Sequence, residues 1–430
     1  MVMNQSRSTM IDPLKHSSIS VVSKDLMKRG CSVSTIRMNN SFHPITEAEL
    51  KATISKSKPT SCSLDPLPAS LLEFIDDLLP TLTNIINFSL SSGTFPLTFR
   101  SAVVKPLPKK ASLDPNNLKN FRPVSNLSFM SEITEKVVLQ QLLAYLTEHK
   151  LISPSQSAYR PHHSTETVLL KITNDILLAL DSGNVSLLTF FDLSAAFDTI
   201  DHCILLDRLQ HMYGISGTAL SWFSSYLTNR TQSVIINDHI SQVSSLSYGV
   251  PQGSVLGPIL FILYTKPLSD LIQCHSIKSQ AFADDTQLHV SVPPSNIQSA
   301  ISSLETCLSD IQTWMLENKL KLNNDQTEAL LLRSSSKSFS VSKPTTISVC
   351  GREIYISSSA RILSFYHRDD MRVELHIKNV CRSAYSEIRR ISTVRHLLSA
   401  DSTKTLVSAF VLTRLDYCNS LLSGLSLIHI

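Results

Sequence analysis

Phe282-Ala283-Asp284-Asp285 decides how this chain of 430 residues is read. The alternating run Ile277-Lys278-Ser279-Gln280-Ala281-Phe282 precedes the carboxylate pair, and Thr286-Gln287-Leu288-His289-Val290 follows it. Period-2 alternation on both sides predicts a β-hairpin with the two carboxylates at its turn. Adjacent carboxylates repel each other, so the pair persists cheaply only in water or on a cation. Read alone, the tetrapeptide is most simply a solvated acidic turn.

A second acidic motif about ninety residues upstream changes that balance. Val185 to Phe191 is a continuous apolar run with aromatics, the pattern of a buried strand. It ends in Asp192-Leu193-Ser194-Ala195-Ala196-Phe197-Asp198. A carboxylate at the end of a buried strand is costly unless it is paired or on a metal. Between the two motifs lies Tyr248-Gly249-Val250-Pro251-Gln252-Gly253-Ser254-Val255-Leu256-Gly257-Pro258, which holds three of the ten glycines in the chain. Such glycines allow a sharp turn or close backbone approach to a ligand, and equally a turn into a core helix.

Composition narrows the class. Apolar residues make up 42% and charged residues 17%, which suits a globular protein with some serine-rich flexible parts. A net charge of +4 is too small to mark a nucleic-acid binder, so any basic surface is local. Lys105, Lys109, Lys110, Lys119 and Arg122 form one such set, readable as a phosphate grip or as a solvated loop. A second basic stretch, Arg361 to His396, reads as a nucleic-acid contact or a solvated helical face. The eight cysteines are scattered and lack zinc spacing, which favours a reducing compartment. No stretch is long and apolar enough to span a bilayer, and the amino terminus lacks an export signal. Nuclear or cytoplasmic residence is expected, with no secretion and no membrane partner.

Along the chain, residues 1–60 read as a poorly ordered segment and linker, with a short helix opening at Thr46. Residues 61–100 carry helical spacing, with Pro80 expected to separate two helices. Ser164-Thr165 is a plausible helix start and Gly183 a stop. Ile297, Ile301, Leu304, Leu308, Ile311 and Met315 mark an amphipathic helix. Leu320 to Asn323 and Ala329 to Leu332 read as strands, and Phe339 to Ile356 as a hairpin turning near Gly351. Residues 373–430 read as helical, ending on a helix from about Thr403 to Cys418.

Taken together, the motifs resemble the reverse transcriptase of non-LTR (LINE-type) retrotransposons. The resemblance covers roughly residues 60–425 and rests on six stretches in order. They are Lys119 to Leu127, Ser157 to Thr167, Phe191 to His202, Gly249 to Pro258, Phe282 to Gln287 and Asp416 to Leu422. It implies an α+β right-hand polymerase with fingers, an antiparallel-sheet palm and a helical thumb. On that plan residues 101–335 are fingers and palm, 336–372 a hairpin and primer grip, and 373–430 the thumb, whose completeness is left open.

The resemblance also implies a mechanism. RNA template, DNA primer and dNTPs are the expected partners, and two Mg²⁺ ions, with Mn²⁺ as substitute, the expected cofactors. Such ions, about 3.5–4 Å apart, lower the pKa of the primer hydroxyl and stabilise the leaving pyrophosphate. Asp192 and Asp284 match the main ligands and Asp285 the supporting one, whereas Asp198 reads as a helix-start carboxylate. Phe197 matches the bulky residue that excludes a ribose 2′-hydroxyl. Gln252 and Gly253 would line the dNTP pocket, with Arg122 and Arg160 gripping the triphosphate and Lys105 a weaker candidate.

The chain departs from the family pattern at three positions. Gln326 stands where a lysine usually protonates pyrophosphate, and an amide is no acid at neutral pH. Ser364 replaces a usual glycine in the primer-grip turn, and Phe282 a common tyrosine. These changes motivate an alternative, a decayed copy that binds nucleic acid without efficient extension. The roughly sixty residues ahead of the matching region are too few for the endonuclease that such proteins usually carry, so target nicking is not expected from this chain. A two-metal nuclease is a weaker reading, because no further His, Asp or Glu cluster accompanies the three aspartates.

Overall fold

The strand Val185–Phe191 is buried along almost its whole length, and two layers of packing meet across it. The structure, a computed structural model, describes residues 39–57, 62–65, 75–110, 113–193, 196–237, 239–323, 327–334, 344–349 and 351–423. Expectations for residues 1–38, 58–61, 66–74, Gln326, 336–343 and 424–430 lie outside these.

Helices α1 (Glu47–Ser55) and α2 (Ile75–Ser92) precede strands β1 (Ser101–Pro108) and β2 (Phe121–Asn126). Next come α3 (Phe129–Glu148), α4 (Thr165–Asp181) and β3 (Val185–Phe191). Helices α5 (His202–His211) and α6 (Gly217–Leu227) lead to β4 (Arg230–Ile236), β5 (His239–Ile240) and β6 (Ser244–Leu246). Helix α7 (Gly257–Cys274), the hairpin β7 (Lys278–Phe282) and β8 (Asp285–Val292), and α8 (Ile297–Glu317) follow. Strands β9 (Glu328–Leu332), β10 (Thr346–Val349), β11 (Arg352–Ser357), β12 (Ser359–Ile362) and β13 (Phe365–Arg368) come next. The chain closes with α9 (Glu374–Val394), α10 (Ala400–Val407) and α11 (Thr413–Asp416).

Six strands form the central sheet in the order β10-β11-β9-β3-β8-β7. β3 is antiparallel to both neighbours, and the single departure from an antiparallel sheet is the short parallel pairing of β11 with β9. Side-chain alternation explains the unbroken apolar run of β3. Val185, Leu187 and Phe191 enter the larger core with α7 and α8, while Leu188 faces Ile172 and Ile176 of α4 together with Phe365 of β13. A strand buried on both faces has no polar side to show. A second sheet, ordered β2-β1-β4-β5 with β6 also on β4, carries the basic β1–β2 hairpin.

Local signals explain the helix ends. Ser164 caps α4 through Thr167 N in a capping box, and Gly183 sits just past its end at φ 82°. Thr46 and Glu49 form the same box on α1.

Four expectations are corrected. Residues 39–57 are packed: Phe42 is buried against Trp222 and Phe223, and Asn39 bridges to Ile215. Pro80 lies inside α2, on its exposed side near the start, where the loss of one backbone donor is tolerated. Leu320 to Asn323 is no strand; Leu322 alone makes a bridge, to Leu193. The last helix is interrupted by a π-helical segment, Ser408–Leu412, between α10 and α11.

The two-residue turn between β12 and β13 places Leu363 at φ 43° and Ser364 at φ 70°. Such turns favour residues with easy access to positive φ. Tyr417 holds the turn by donating to the Leu363 carbonyl at 2.6 Å. Ser364→Gly should therefore raise the unfolding free energy by about 0.5–1 kcal/mol, the relief of strain less the chain entropy of glycine. A denaturant midpoint at constant m-value checks this, and Ser364→Val should move it the opposite way.

Candidate active site

Ala283 and Asp284 are the two turn residues of the β7–β8 hairpin, with Phe282 paired to Asp285. The β3–β8 ladder runs from Val185↔Val292 to Phe191↔Thr286. Asp192, one residue further out, therefore stands at the same end of the sheet as Asp285. The structure brings Asp192 to the same sheet end as Asp284 and Asp285, about ninety residues away in sequence, where the charges of Asp284 and Asp192 both act on Asp285.

The electrostatics agree. Asp285 is pushed up to about 6, first by partial burial and then by the charges of Asp284 and Asp192, although the residue remains exposed overall. Burial chiefly raises Asp284; its own backbone N–H and Arg122 oppose the shift, and Asp192 adds to it. Asp192 is also raised by burial, opposed by Leu193 N–H, the Asn323 side chain and Lys109. Its Oδ1 accepts from Leu193 N at 2.8 Å, and its carbonyl accepts from Asn323 N at 2.9 Å.

Among the described residues, no three His, Cys, Asp or Glu side chains close into a ready coordination shell. The donor set nevertheless suits a hard divalent cation, because it consists of carboxylate oxygens whose mutual repulsion a cation would relieve.

The glycine-rich loop is sewn onto this centre from two sides. Val250 N donates to the Phe197 carbonyl at 2.9 Å, and Gly249 N to that of Ile200 at 2.8 Å. Ser125 N on β2 donates to the Gln252 carbonyl at 2.8 Å. A Cβ on Gly249, at φ 79°, would meet the Phe197 and Asp198 backbone at 2.8 Å, so glycine is required there. One on Gly253, at φ 118°, would meet the Ser125 carbonyl at 2.9 Å. Gln252 Oε1 is buried without a hydrogen-bond partner. An unsatisfied buried acceptor calls for an explanation, and a donor on a bound ligand supplies one.

The other predicted residues divide. Phe197 is half-buried, with its ring 5.2 Å from that of Phe261. Arg122 on β2 acts on Asp284 across the cleft. Arg160 is engaged in its own loop through one nitrogen: its Nη1 donates to the carbonyls of Gln156 at 3.0 Å and Ser153 at 3.3 Å. Lys105 is exposed on β1, opposite Val124. Gln326 falls outside the described residues.

Three residues at the site were not foreseen. Asn323 braces Asp192 and lies three positions ahead of Gln326, itself a position of the family pattern. Gln156, one position ahead of another matched stretch, bonds the backbone of Ala283. Glu135 is fully buried on α3; it accepts from Leu256 N at 3.0 Å, Tyr226 OH at 3.2 Å and Ser131 Oγ at 3.3 Å. It thus holds the start of α7, just behind the Gln252 loop. Its one sequence signal is an acid set among Ile133, Val137 and Val138.

A palm-like sheet with carboxylates at one end, a basic hairpin over it and a glycine loop between them belongs to the class of right-hand polymerases. Residues 107–365, more than half of the chain, match the family described as Reverse transcriptase (RNA-dependent DNA polymerase). The chain belongs to that family. The RNA-directed DNA polymerase from mobile element jockey of Drosophila melanogaster is 26% identical over 369 residues, 84% of this chain and 39% of that protein. The probable RNA-directed DNA polymerase from transposon BS of the same fly is 26% identical over 381 residues, 87% and 40% respectively. The chain thus spans about two-fifths of the length of these relatives. Among solved structures, apo telomerase from Candida tropicalis, truncated from its C-terminal domain, aligns with a TM-score of 0.42 and 14% identity. That alignment covers 63% of this chain and 55% of that one. No helix among the described residues is long and apolar enough to cross a membrane.

The raised Asp285 has a consequence for stability. A carboxyl whose folded pKa lies above its unfolded value favours the fold at low pH, and that contribution is lost as pH rises through about 6. Asp285→Asn should therefore stabilise the metal-free protein at pH 7.5 by about 0.5–1 kcal/mol, kept small because the side chain is partly solvated. The advantage should vanish towards pH 4. Melting temperature against pH in the presence of a chelator checks both.

Proposed function

We propose that this chain is an RNA-directed DNA polymerase that adds dNTPs to a primer 3′-hydroxyl on an RNA template. One observation carries the reading: Asp192, Asp284 and Asp285 converge at one end of the β3–β8 ladder, below a loop that offers an unsatisfied Gln252 acceptor.

Asp192, Asp284 and Asp285 would hold two divalent cations, Mg²⁺ or Mn²⁺. When bound, such ions supply Lewis-acid chemistry at the attacking hydroxyl and the leaving pyrophosphate. The protein's part is to place charge and exclude the wrong substrate. Arg122 and Lys109 put positive charge opposite Asp284 and Asp192, where triphosphate oxygens gather. Gln252 Oε1 takes a donor from the bound nucleotide or its template partner. Gly253 lets the loop lie against Ser125, on the strand that carries Arg122. Phe197, fixed by Phe261 and by the bond from Val250 N, blocks a 2′-hydroxyl by bulk. Arg160 braces the loop beside the catalytic turn.

Primer extension on an RNA template tests the proposal. Asp284→Asn should lower kcat on the order of 10³-fold, a loss of several kcal/mol of transition-state stabilisation. Undiminished extension would defeat the assignment, and tight primer–template binding without extension by the wild-type chain would return it to the remnant reading. Phe197→Ala should raise ribonucleotide incorporation relative to deoxynucleotide by roughly 10–100-fold while dNTP addition persists. Competition between the two nucleotide pools measures that ratio.

A further inference from the structure

Residues 153–158 run beside β7 as an extra edge. Ala281 N donates to the Ser155 carbonyl at 2.8 Å, and Ser157 N to the Ala281 carbonyl at 3.0 Å. Between these bonds lies Gln156, 5% exposed, its side chain turned towards the hairpin tip. Its Oε1 accepts from Ala283 N at 3.0 Å and from Ala158 N at 2.9 Å, and its Nε2 donates to the Ala283 carbonyl at 3.2 Å. One carboxamide thus satisfies both polar groups of a single residue, as a neighbouring strand would. The partners also fix which end of the amide is oxygen, because an N–H can only donate and a carbonyl can only accept.

Ala283 needs this support. It sits at φ 58°, where a residue with a Cβ is strained, and it immediately precedes Asp284. Relaxation to negative φ would redirect the Asp284 side chain, whose present placement brings it within the field of Asp192. The segment that bears Gln156 is itself fastened. Gln280 Nε2 donates to the Ser155 carbonyl at 2.7 Å and to Ser157 Oγ at 2.8 Å, while Lys171 Nζ holds Gln280 Oε1 at 2.8 Å. Arg160 grips the carbonyls of Ser153 and Gln156 from the other side. Asparagine is one carbon too short to span the gap, and glutamate lacks the donor.

We propose that Gln156 is a positioning residue for the catalytic carboxylates, clamping Ala283 in the strained conformation that aims Asp284 at Asp192. The inference rests on the polymerase reading for its effect on rate, whereas the clamp itself stands on the hydrogen bonds alone. Gln156 touches neither substrate nor reacting atoms and acts through Ala283.

The test uses the full chain as wild type, Gln156→Ala, and Gln156→Ala combined with Ala283→Gly. Hydrogen exchange reads the clamp without activity: in Gln156→Ala the Ala283 amide should exchange about tenfold faster or more, with the β3–β8 ladder unchanged. In primer extension, kcat should fall about 10–100-fold, with KM for the dNTP within about twofold. Glycine at 283 should recover several-fold of that loss, because it adopts positive φ without a clamp. Unchanged exchange at Ala283 would overturn the proposal. So would acceleration across the whole sheet, or a rate loss that Ala283→Gly leaves untouched, either of which reduces Gln156 to general support. If the wild-type chain extends nothing, the polymerase reading fails separately, and the exchange measurement still decides on the clamp.

Discussion

Repulsion among three carboxylates is the constraint around which the molecule is built. Two such charges about 5 Å apart near a protein surface repel by roughly 3 kcal/mol, and here each of the three is raised above its ordinary pKa. Nothing about the aspartates themselves favours their meeting. They are held by the register of β3 on β8, which the two-sided core enforces: a one-residue slip would exchange Leu187 and Leu188 between two different clusters. The apolar burial of the sheet thus sustains an unfavourable charge arrangement at its edge, and a divalent cation would reverse the sign of that arrangement.

A second set of contacts sets the height of the cleft. Gly249 and Gly253 let one loop lie against both the turn after β3 and the strand β2, at distances that exclude any Cβ. Behind the loop, Glu135 ties α3 to the start of α7 through Leu256 N. Burial raises the Glu135 carboxyl, with Arg230 as the main opposing charge. Removing the carboxylate would strand Leu256 N and Tyr226 OH in the core, so its importance lies in satisfying them. Basic hairpin and acidic sheet are therefore positioned by polar bonds within an apolar interior, which fixes orientation more narrowly than packing alone.

Much of this was legible in the sequence, for identifiable reasons. The Asp-Asp hairpin was flanked by period-2 runs, β3 was too apolar to be anything but interior, and α4 carried its own start and stop. These are local signals that tertiary structure had no reason to override. Pro80 misled because a proline near a helix start removes only one bond, too small a cost to end α2. Leu320 to Asn323 has the composition of a strand, yet its backbone serves Asp192 and Leu193 instead of a ladder. One guanidinium nitrogen of Arg160 bonds carbonyls only four and seven residues away in sequence, a loop geometry that no periodicity encodes. Gln156 left no signal beyond its place beside a matched stretch, since a glutamine in an irregular segment looks the same whether it is solvated or clamps a turn.

Strain is distributed unevenly, and its location is informative. Ala283 and the pair Leu363-Ser364 are non-glycine residues at positive φ in two-residue turns. At β12–β13 the compensation is a bond from Tyr417 to the Leu363 carbonyl, another from Arg361 to the Ser364 hydroxyl, and the packing of Leu363 against the core on the α4 side. At Ala283 the compensation is a dedicated side chain with two bonds to one residue, itself braced by Gln280, Lys171 and Arg160. A turn needed only to reverse the chain would gain little from such bracing, because a slack tip costs almost nothing. Bracing on this scale makes sense where the direction of the next side chain matters, and the next side chain is Asp284.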